Sequence, residues 1–563
     1  MKKLNWKRVT STVLAGAIMI ASGATGFIPA LAGTAYAAPN QKAHIKDFDT
    51  FAAQCEAMNQ IDLEDVGDMP GRVVRTEVVI DKKADSKYQS VYFKKRGHSQ
   101  GIPTPELEYF PAHCLVEGYV TPHVQFSMML PPVDNWNERF MLAACDAWCG
   151  RVGPEMPVPG LNSGFATLTN NGGHYSRAPF DGIWAHQDMR AREYFAHKAN
   201  HVTAQVGKAI AEAFYGEKPK YSYLAGFSKG GNAGLFAAQR YPTDFDGIIS
   251  KAPVVHYNAK NAAGFTWTAL AVHPDGKNPV IYSDKLPIIN KAVLDACDAY
   301  DGLVNGVIDN PNICDFDPAV LLCKPGQSEA DNECLNEAQV EAVAKQYQNP
   351  TTADGTVYFE YPMDRGSEFD WARANLPVRG SDEKTFSLTG AATGLRYMVT
   401  PDNPGPGYDW RTFDYLENLP AMNEMAKILD PDATDMTPFK EAGGKMIIVH
   451  GWADAMITAN MTKDWFKEVR DEMGAEVVDD FAQLYLVPGM VHGSGGTGPY
   501  VFDAIHPLMN WVEKGIAPTQ LMMEDEPGST PLRRRPEFPF PAYSKYSGKG
   551  DPNKAESFIK VTD

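Results

Sequence analysis

Cationic side chains are scarce in this chain of 563 residues: 52 lysines and arginines face 70 aspartates and glutamates, for a formal charge of -18. Nucleic-acid binders need clustered cations to displace counterions from a phosphate backbone, so that class is excluded. Beyond the N-terminus no run of about 18 uninterrupted apolar residues occurs, which argues against a later membrane-spanning helix and stable membrane association. No cysteine pair has CxxC spacing, so structural zinc is not expected. His197 and His201 stand at i, i+4, but no glutamate follows His197 as HExxH requires, and a structural role is the better reading. The glycine-rich GSGGTGP after His492 is not followed by GK[ST], so it serves as a tight turn rather than a phosphate cradle. No redox cofactor is implied.

The N-terminus carries Lys2, Lys3, Lys7 and Arg8, an apolar stretch from Val13 to Ala32, and the small-x-small site Ala35-Tyr36-Ala37. This is the pattern of a secretory signal over residues 1–37, and Gly, Ser, Thr and Pro within it disfavour an uncleaved anchor. A periplasmic or secreted location follows as an expectation. An oxidising compartment gives meaning to the eight cysteines, Cys55, Cys114, Cys145, Cys149, Cys297, Cys314, Cys323 and Cys334. Eight cysteines allow on the order of a hundred pairings, and spacing alone does not choose among them. Sequence-local pairing would join Cys145 to Cys149, Cys297 to Cys314, and Cys323 to Cys334.

Short alternating runs between Arg72 and Leu142, such as VVRTEVVI and VQFSMMLP, predict strands. A helix is predicted over about Arg190 to Tyr215, with Val202, Val206, Ile210 and Phe214 on one stripe and Gly216 as the stop. A buried strand at Tyr221 to Ala225, the turn Gly226-Phe227-Ser228-Lys229-Gly230, and an Ala-rich helix over Asn232 to Arg240 follow. From about Pro253 to Glu441 the chain turns to Asp, Asn, Pro, Gly and aromatics with weak periodicity. Regular strands resume at KMIIV (445) and QLYLV (483). The expected organisation is an α/β sheet domain of residues 38–252 and 441–563, with residues 253–440 inserted as a lid.

Strand, glycine-flanked serine and helix form the context of a nucleophile elbow. A serine hydroxyl needs a base to take its proton and a third group to orient that base. Asp454 lies just past the KMIIV strand and His492 just past QLYLV, in the order Ser, Asp, His. Asp464, Asp471, Asp479 and Asp480 fall in a charged helical segment, and His506 lies in a helix leading to Trp511, so these rivals are set aside. The backbone N–H of Lys229 is the first oxyanion donor. Asp146 or Ala147, in the FMLAACDAWCGRVG segment, is the candidate for the second. Between Cys297 and Cys314, Asp298, Asp301 and Asn305 cluster with Gly302 and Gly306, an oxygen-rich tight loop suited to calcium, although the spacing is not that of an EF-hand.

Together these residues resemble the tannase and feruloyl esterase family, which includes mono(hydroxyethyl) terephthalate hydrolase-like proteins. The blocks that carry the resemblance are WNERF (136), FDGIWA (180), HVTAQVGKAIAEAFYG (201), GFSKGGNAGLFAAQRYPTDFDGII (226), RYMV (396), GWAD (451), VPGMVHGSGG (487) and the tail from RRPEF (534). The resemblance implies an α/β-hydrolase fold with a large lid and a serine esterase acting on aromatic acid esters of feruloyl, galloyl or terephthalate-monoester type. It places the triad on Ser228, Asp454 and His492. It implies calcium ligands at Asp298, Asp301 and Asn305 with carbonyls of Leu303 and Val307, Asn305 standing where the family has Asp. It also implies the pairs Cys55–Cys114 and Cys297–Cys314. Arg396 in the lid is a candidate for meeting a substrate carboxylate or hydroxyl, with a structural role as the competing reading. The chain departs from the family at Phe227 and Gly493, where cysteines tie the nucleophile loop to the histidine loop, and at Phe538. The Phe227 ring is expected to pack into the space left at Gly493. The alternatives are a peptidase or amidase of the same fold and a catalytically silent binding protein.

Overall fold

The computed structural model describes residues 41–84, 90–352 and 354–562, and the expected signal segment lies outside them. Nine strands join one sheet: β1 Gly71–Val79, β2 His113–Val120, β3 Val124–Leu130, β4 Arg139–Ala143, β5 Ala166–Asn170, β6 Tyr221–Phe227, β7 Gly247–Lys251, β8 Lys445–Gly451 and β9 Ala482–Val487. Their spatial order is β1-β2-β3-β5-β4-β6-β7-β8-β9. The first four in that order pair antiparallel, and from β5 to β9 every pairing is parallel. Parallel neighbours require crossovers, and the crossover helices cover the faces of the sheet. This is the α/β-hydrolase architecture.

Alternation along the strands separates two cores. Leu224, Ile248, Ile448 and Leu484 face one, while Tyr223, Ala225, Ile249, Ile447, Val449 and Tyr485 face the other. Both faces are covered, so β7 and β8 appear in sequence as apolar runs rather than as alternating patterns. The helix Ala199–Tyr215 buries Val202, Val206, Ile210 and Phe214, and Gly216 ends it at φ 79°. Its lead-in differs from the expected continuous helix. Met189–Glu193 passes into a π-helical turn, Tyr194–Lys198, before the regular helix begins. That wider turn buries four consecutive side chains, Tyr194 to His197.

Between β7 and β8 the described residues hold no ladder strand. Helices Leu286–Cys297, Glu337–Gln346, Phe386–Tyr397 and Tyr415–Leu429 punctuate the segment, and part of it packs round Ile289, Val293, Leu335, Val343 and Trp371. Short helices separated by Pro, Gly and Asp loops leave little periodicity to read. Side-chain amides fasten this insert to segments that follow the parallel strands. Asn460 Nδ2 donates to Asp364 Oδ1 at 2.6 Å, Asn375 Nδ2 to the Ala455 carbonyl at 3.2 Å, and Asn232 Nδ2 to the Val254 carbonyl at 2.8 Å. All eight cysteines pair, as Cys55–Cys114, Cys145–Cys149, Cys297–Cys314 and Cys323–Cys334. No helix among the described residues is long and apolar enough to cross a membrane.

Candidate active site

β6 ends at Phe227 and the elbow helix, Lys229–Arg240, starts two residues later. Ser228 between them is held at φ 59° and ψ -120°, a conformation that strains any residue with a Cβ. The strand and helix cross closely enough to demand glycine: a Cβ on Gly226 would lie 2.4 Å from the Gly230 backbone, and one on Gly231 would lie 2.5 Å from the Lys251 carbonyl. The Ser228 N–H donates to that same carbonyl at 2.9 Å. Lys229 opens the helix, so its N–H has no intrahelical acceptor. Its side chain turns away, with Nζ donating to the Ala196 carbonyl at 2.9 Å and to Asn232 Oδ1 at 2.7 Å, and burial pushes the amine down to about 7.

Asp454 follows β8 and is fully buried. Its Oδ1 accepts the N–H groups of Met456 and Ile457, both at 2.8 Å, and its Oδ2 accepts His492 Nδ1–H at 2.7 Å. His450 Nε2 approaches the same Oδ2 at 3.3 Å. Burial pushes the Asp454 carboxyl up, but the His492 charge and the hydrogen bonds from His450 and His492 outweigh it and hold the group well below the usual carboxylate range. For His492 burial acts downward, while the charge and hydrogen bond of Asp454, with Asp370 assisting, raise it above its ordinary value. The Nδ1 proton is committed to Asp454, which leaves Nε2 as the basic nitrogen.

Among the described residues no hydrogen bond joins Ser228 Oγ to His492. Such bonds are often long without substrate and tighten in the complex. Their neighbours do meet. The Phe227 and His492 ring centroids are 5.4 Å apart, and a Cβ on Gly493 would stand 3.3 Å from the Phe227 ring. Arg96 also lies over that ring, at 5.6 Å, and reaches Asp146 Oδ2 at 2.7 Å.

The loop carrying Asp146 rests against the first turn of the elbow helix, where a Cβ on Gly230 would be 3.2 Å from the Cys145 carbonyl. The Cys145–Cys149 bridge closes it, with Ala147 at φ 51° and Cys149 at φ 54°. Since the Asp146 carboxylate is paired with Arg96, what this residue can offer an oxyanion is its backbone.

The set-aside residues have other partners. His506 sits on the helix Ile505–Lys514 against Asp503, Asp471 pairs with Lys467, and Asp479 with Arg470. His197 Nδ1 meets Tyr241 Oη at 2.8 Å, whereas His201 lies between Asp244 and Asp68 at 2.7 and 3.0 Å, so the two rings share no ligand. Arg396 donates from Nε to the Tyr408 carbonyl at 3.0 Å and lines an insert cavity with Tyr282, Thr389 and Trp410 that includes none of Ser228, Asp454 or His492. His256, Asp430 and Asp432 are close enough to share an ion, but Asp430 Oδ1 already accepts the Asn258 N–H at 2.6 Å and Asp432 is exposed. We assign no metal there.

Two groups beside His492 escaped sequence reasoning. Asp370, from the insert, is pushed up to about 7 by burial and by the Asp454 charge. Lys251 ends β7 and is fully buried, and burial brings its amine down to about 7. Its signal was a lysine inside the apolar run GIISKAP. Asp370 had none, because only packing of the insert brings it near.

The loop between Cys297 and Cys314 tests well for a hard cation. Asp298 accepts the N–H groups of Asn305 and Gly306, and Asn305 Oδ1 accepts the Val307 N–H at 3.0 Å. Asp301 Oδ1 accepts the Leu303 N–H at 2.8 Å, whereas its Oδ2 is buried with no hydrogen-bond partner. Burial and the nearby Asp309 charge push the Asp301 carboxyl up to about 7, as expected where a compensating cation belongs. Gly302 at φ 94° and Gly306 at φ 79° make the turns. An all-oxygen donor set with one buried unsatisfied oxygen fits calcium.

The family model for tannase and feruloyl esterase matches residues 112–561. A mono(2-hydroxyethyl) terephthalate hydrolase of Piscinibacter sakaiensis is 29% identical over 522 residues, covering 81% of this chain and 86% of that protein. A probable feruloyl esterase B-2 of Aspergillus terreus is 30% identical over 413 residues, covering 69% and 74% respectively. The crystal structure of feruloyl esterase B from Aspergillus oryzae shares the fold at TM-score 0.75 and 24% identity, covering 91% of this chain and 100% of that one. Tannin acyl hydrolase from Aspergillus niger does so at TM-score 0.70 and 20% identity, covering 91% and 95%. The chain belongs to the tannase and feruloyl esterase family and is a carboxylic ester hydrolase of small-molecule esters.

Proposed function

We propose that the protein is a secreted serine esterase for esters of aromatic acids, of feruloyl, galloyl or terephthalate-monoester type. Ser228 attacks the ester carbonyl, His492 Nε2 takes the hydroxyl proton and returns it to the leaving alcohol, and Asp454 keeps the imidazole in the required tautomer. The acyl-enzyme is then hydrolysed by water, with His492 again as base. The N–H of Lys229 and the backbone N–H of Asp146 donate to the oxyanion. What supports this reading is Ser228 in its strained elbow, the ring of the preceding Phe227 5.4 Å from that of His492, and the hydrogen bond from His492 to buried Asp454. The names of the relatives support the acyl class. In the insert, Asp298, Asp301 and Asn305 with the carbonyls of Leu303 and Val307 would hold calcium, which would rigidify the insert and take no part in the reaction. Residues 1–37 would direct export and be removed.

A fluorophosphonate should label the wild-type protein at Ser228 and leave Ser228→Ala unmodified. Feruloyl, galloyl and terephthaloyl monoesters, assayed beside matched amides, then define the substrate. Hydrolysis of the amides in preference to the esters, or an unlabelled Ser228 in active protein, would refute the proposal. N-terminal sequencing of exported protein tests removal of residues 1–37.

A further inference from the structure

His492 rides on a loop poor in intrinsic stiffness. Gly489, Gly493, Gly495 and Gly496 all take positive φ, and glycines leave a backbone many alternatives to lose on folding. No disulfide reaches this loop, since all eight cysteines pair elsewhere. An imidazole that must meet a hydroxyl within a fraction of an ångström nevertheless needs its loop fixed.

Lys251 reaches it from beneath. Its backbone carbonyl accepts the Ser228 N–H at 2.9 Å, and its Nζ donates to the carbonyl of Gly493, the residue after the histidine. A second Nζ–H goes to the His98 carbonyl at 3.2 Å, on the helix Ser90–Gln100, and the Phe502 ring lies 5.0 Å from the amine. One fully buried residue therefore touches the nucleophile's backbone, the histidine loop and a covering helix.

Resting on the triad reading above, we infer that Lys251 is a positioning residue for the reaction, its amine clasping the His492 loop to the strand beside the nucleophile. The charged and titratable groups around it are Asp454, His492 and, through the histidine, Asp370. On the covering helix His98 and Lys94 both face Glu526, at 3.2 and 2.6 Å. The ammonium opposes protonation of His492, so its removal moves the histidine upward in pH.

The test compares Lys251→Met, which removes both donors and charge, with Lys251→Gln, which keeps a donor without charge. In Lys251→Met kcat should fall about tenfold or more with KM held within about twofold, because the loss is of alignment rather than of binding. Lys251→Gln should recover part of kcat. In both, the acidic limb of kcat/KM should move to higher pH, which a purely structural role would not produce. A folded Lys251→Met with wild-type kcat and an unmoved limb overturns the inference. If Lys251→Met does not fold, the limb of folded Lys251→Gln decides in the same way. Fluorophosphonate labelling of the wild type separates the two proposals. An unlabelled Ser228 removes both, while a labelled Ser228 with indifferent Lys251 variants removes only this one.

Discussion

Replacing Phe227 with Ala probes whether apolar packing holds the elbow to the histidine loop. The ring is half-buried and has His492, Gly493 and Arg96 as neighbours. Truncating a fully buried Phe costs about 3–5 kcal/mol, so a half-buried one should cost roughly 1.5–2.5 kcal/mol. At about 2.1 cal/mol/K per residue, a body of this size has an unfolding entropy near 1 kcal/mol/K, and Tm should drop by only about 2 °C. The kinetic effect should be far larger. Losing the wall beside His492 lets the imidazole drift, and a displacement of about 1 Å costs on the order of a hundredfold in rate. Differential scanning fluorimetry and ester turnover on the same preparations check both, with Phe227→Leu recovering part of each. A lowered Tm with kcat within twofold of wild type would show that the ring only fills space. Unchanged Tm and kcat together would show that it carries nothing.

The His492–Asp454 pair predicts opposite pH trends for activity and stability. The His492 value is raised above 6.5, so the pair's stabilisation is fully present below that pH and fades as pH rises through the folded value, while kcat/KM rises through the same value as the base is freed. Asp454→Asn should lower kcat by about 10³–10⁴-fold by favouring the wrong tautomer, as read in pH–rate profiles against ester substrate. Chelation by EGTA should lower Tm in the wild type but not in Asp301→Ala, and a calcium excess of about a hundredfold over Kd should restore about 2.7 kcal/mol, measured by denaturant titration. Arg535 is buried, chelating Asp309 at 2.7 Å through both terminal nitrogens and facing Glu537 at 2.8 Å from Nε. Arg535→Met takes the two-pronged partner from Asp309 and, with Glu537 already pushed up to about 8 by burial, should destabilise the protein by about 3 kcal/mol in guanidinium titrations. A change below about 1 kcal/mol would show that the Arg535 pairing contributes no net stability.

The alternation of short apolar runs and amphipathic helices from Tyr221 onward was legible because strand, elbow and helix are set by local steric and hydrophobic preferences. The positions of Ser228, Asp454 and His492 at strand ends were legible for a related reason: each lies just past an apolar run long enough to be recognised as a buried strand. The π turn at Tyr194–Lys198 was not, because no local residue pattern distinguishes it from the regular helix on either side. Nor were the insert's helices, each short and stabilised mainly by what it packs on. Cys55–Cys114 came from resemblance alone, since its 59-residue separation has no local signature.

By itself the sequence determined most of the sheet strands, though not β5 or β7, together with the elbow and the chemical types available for catalysis, all of them properties of short stretches. Which charges surround the histidine was decided only by the tertiary structure. Asp370 arrives from the insert and Lys251 from β7, and both act across space, where Coulomb interaction and desolvation depend on distance and burial rather than on separation along the chain.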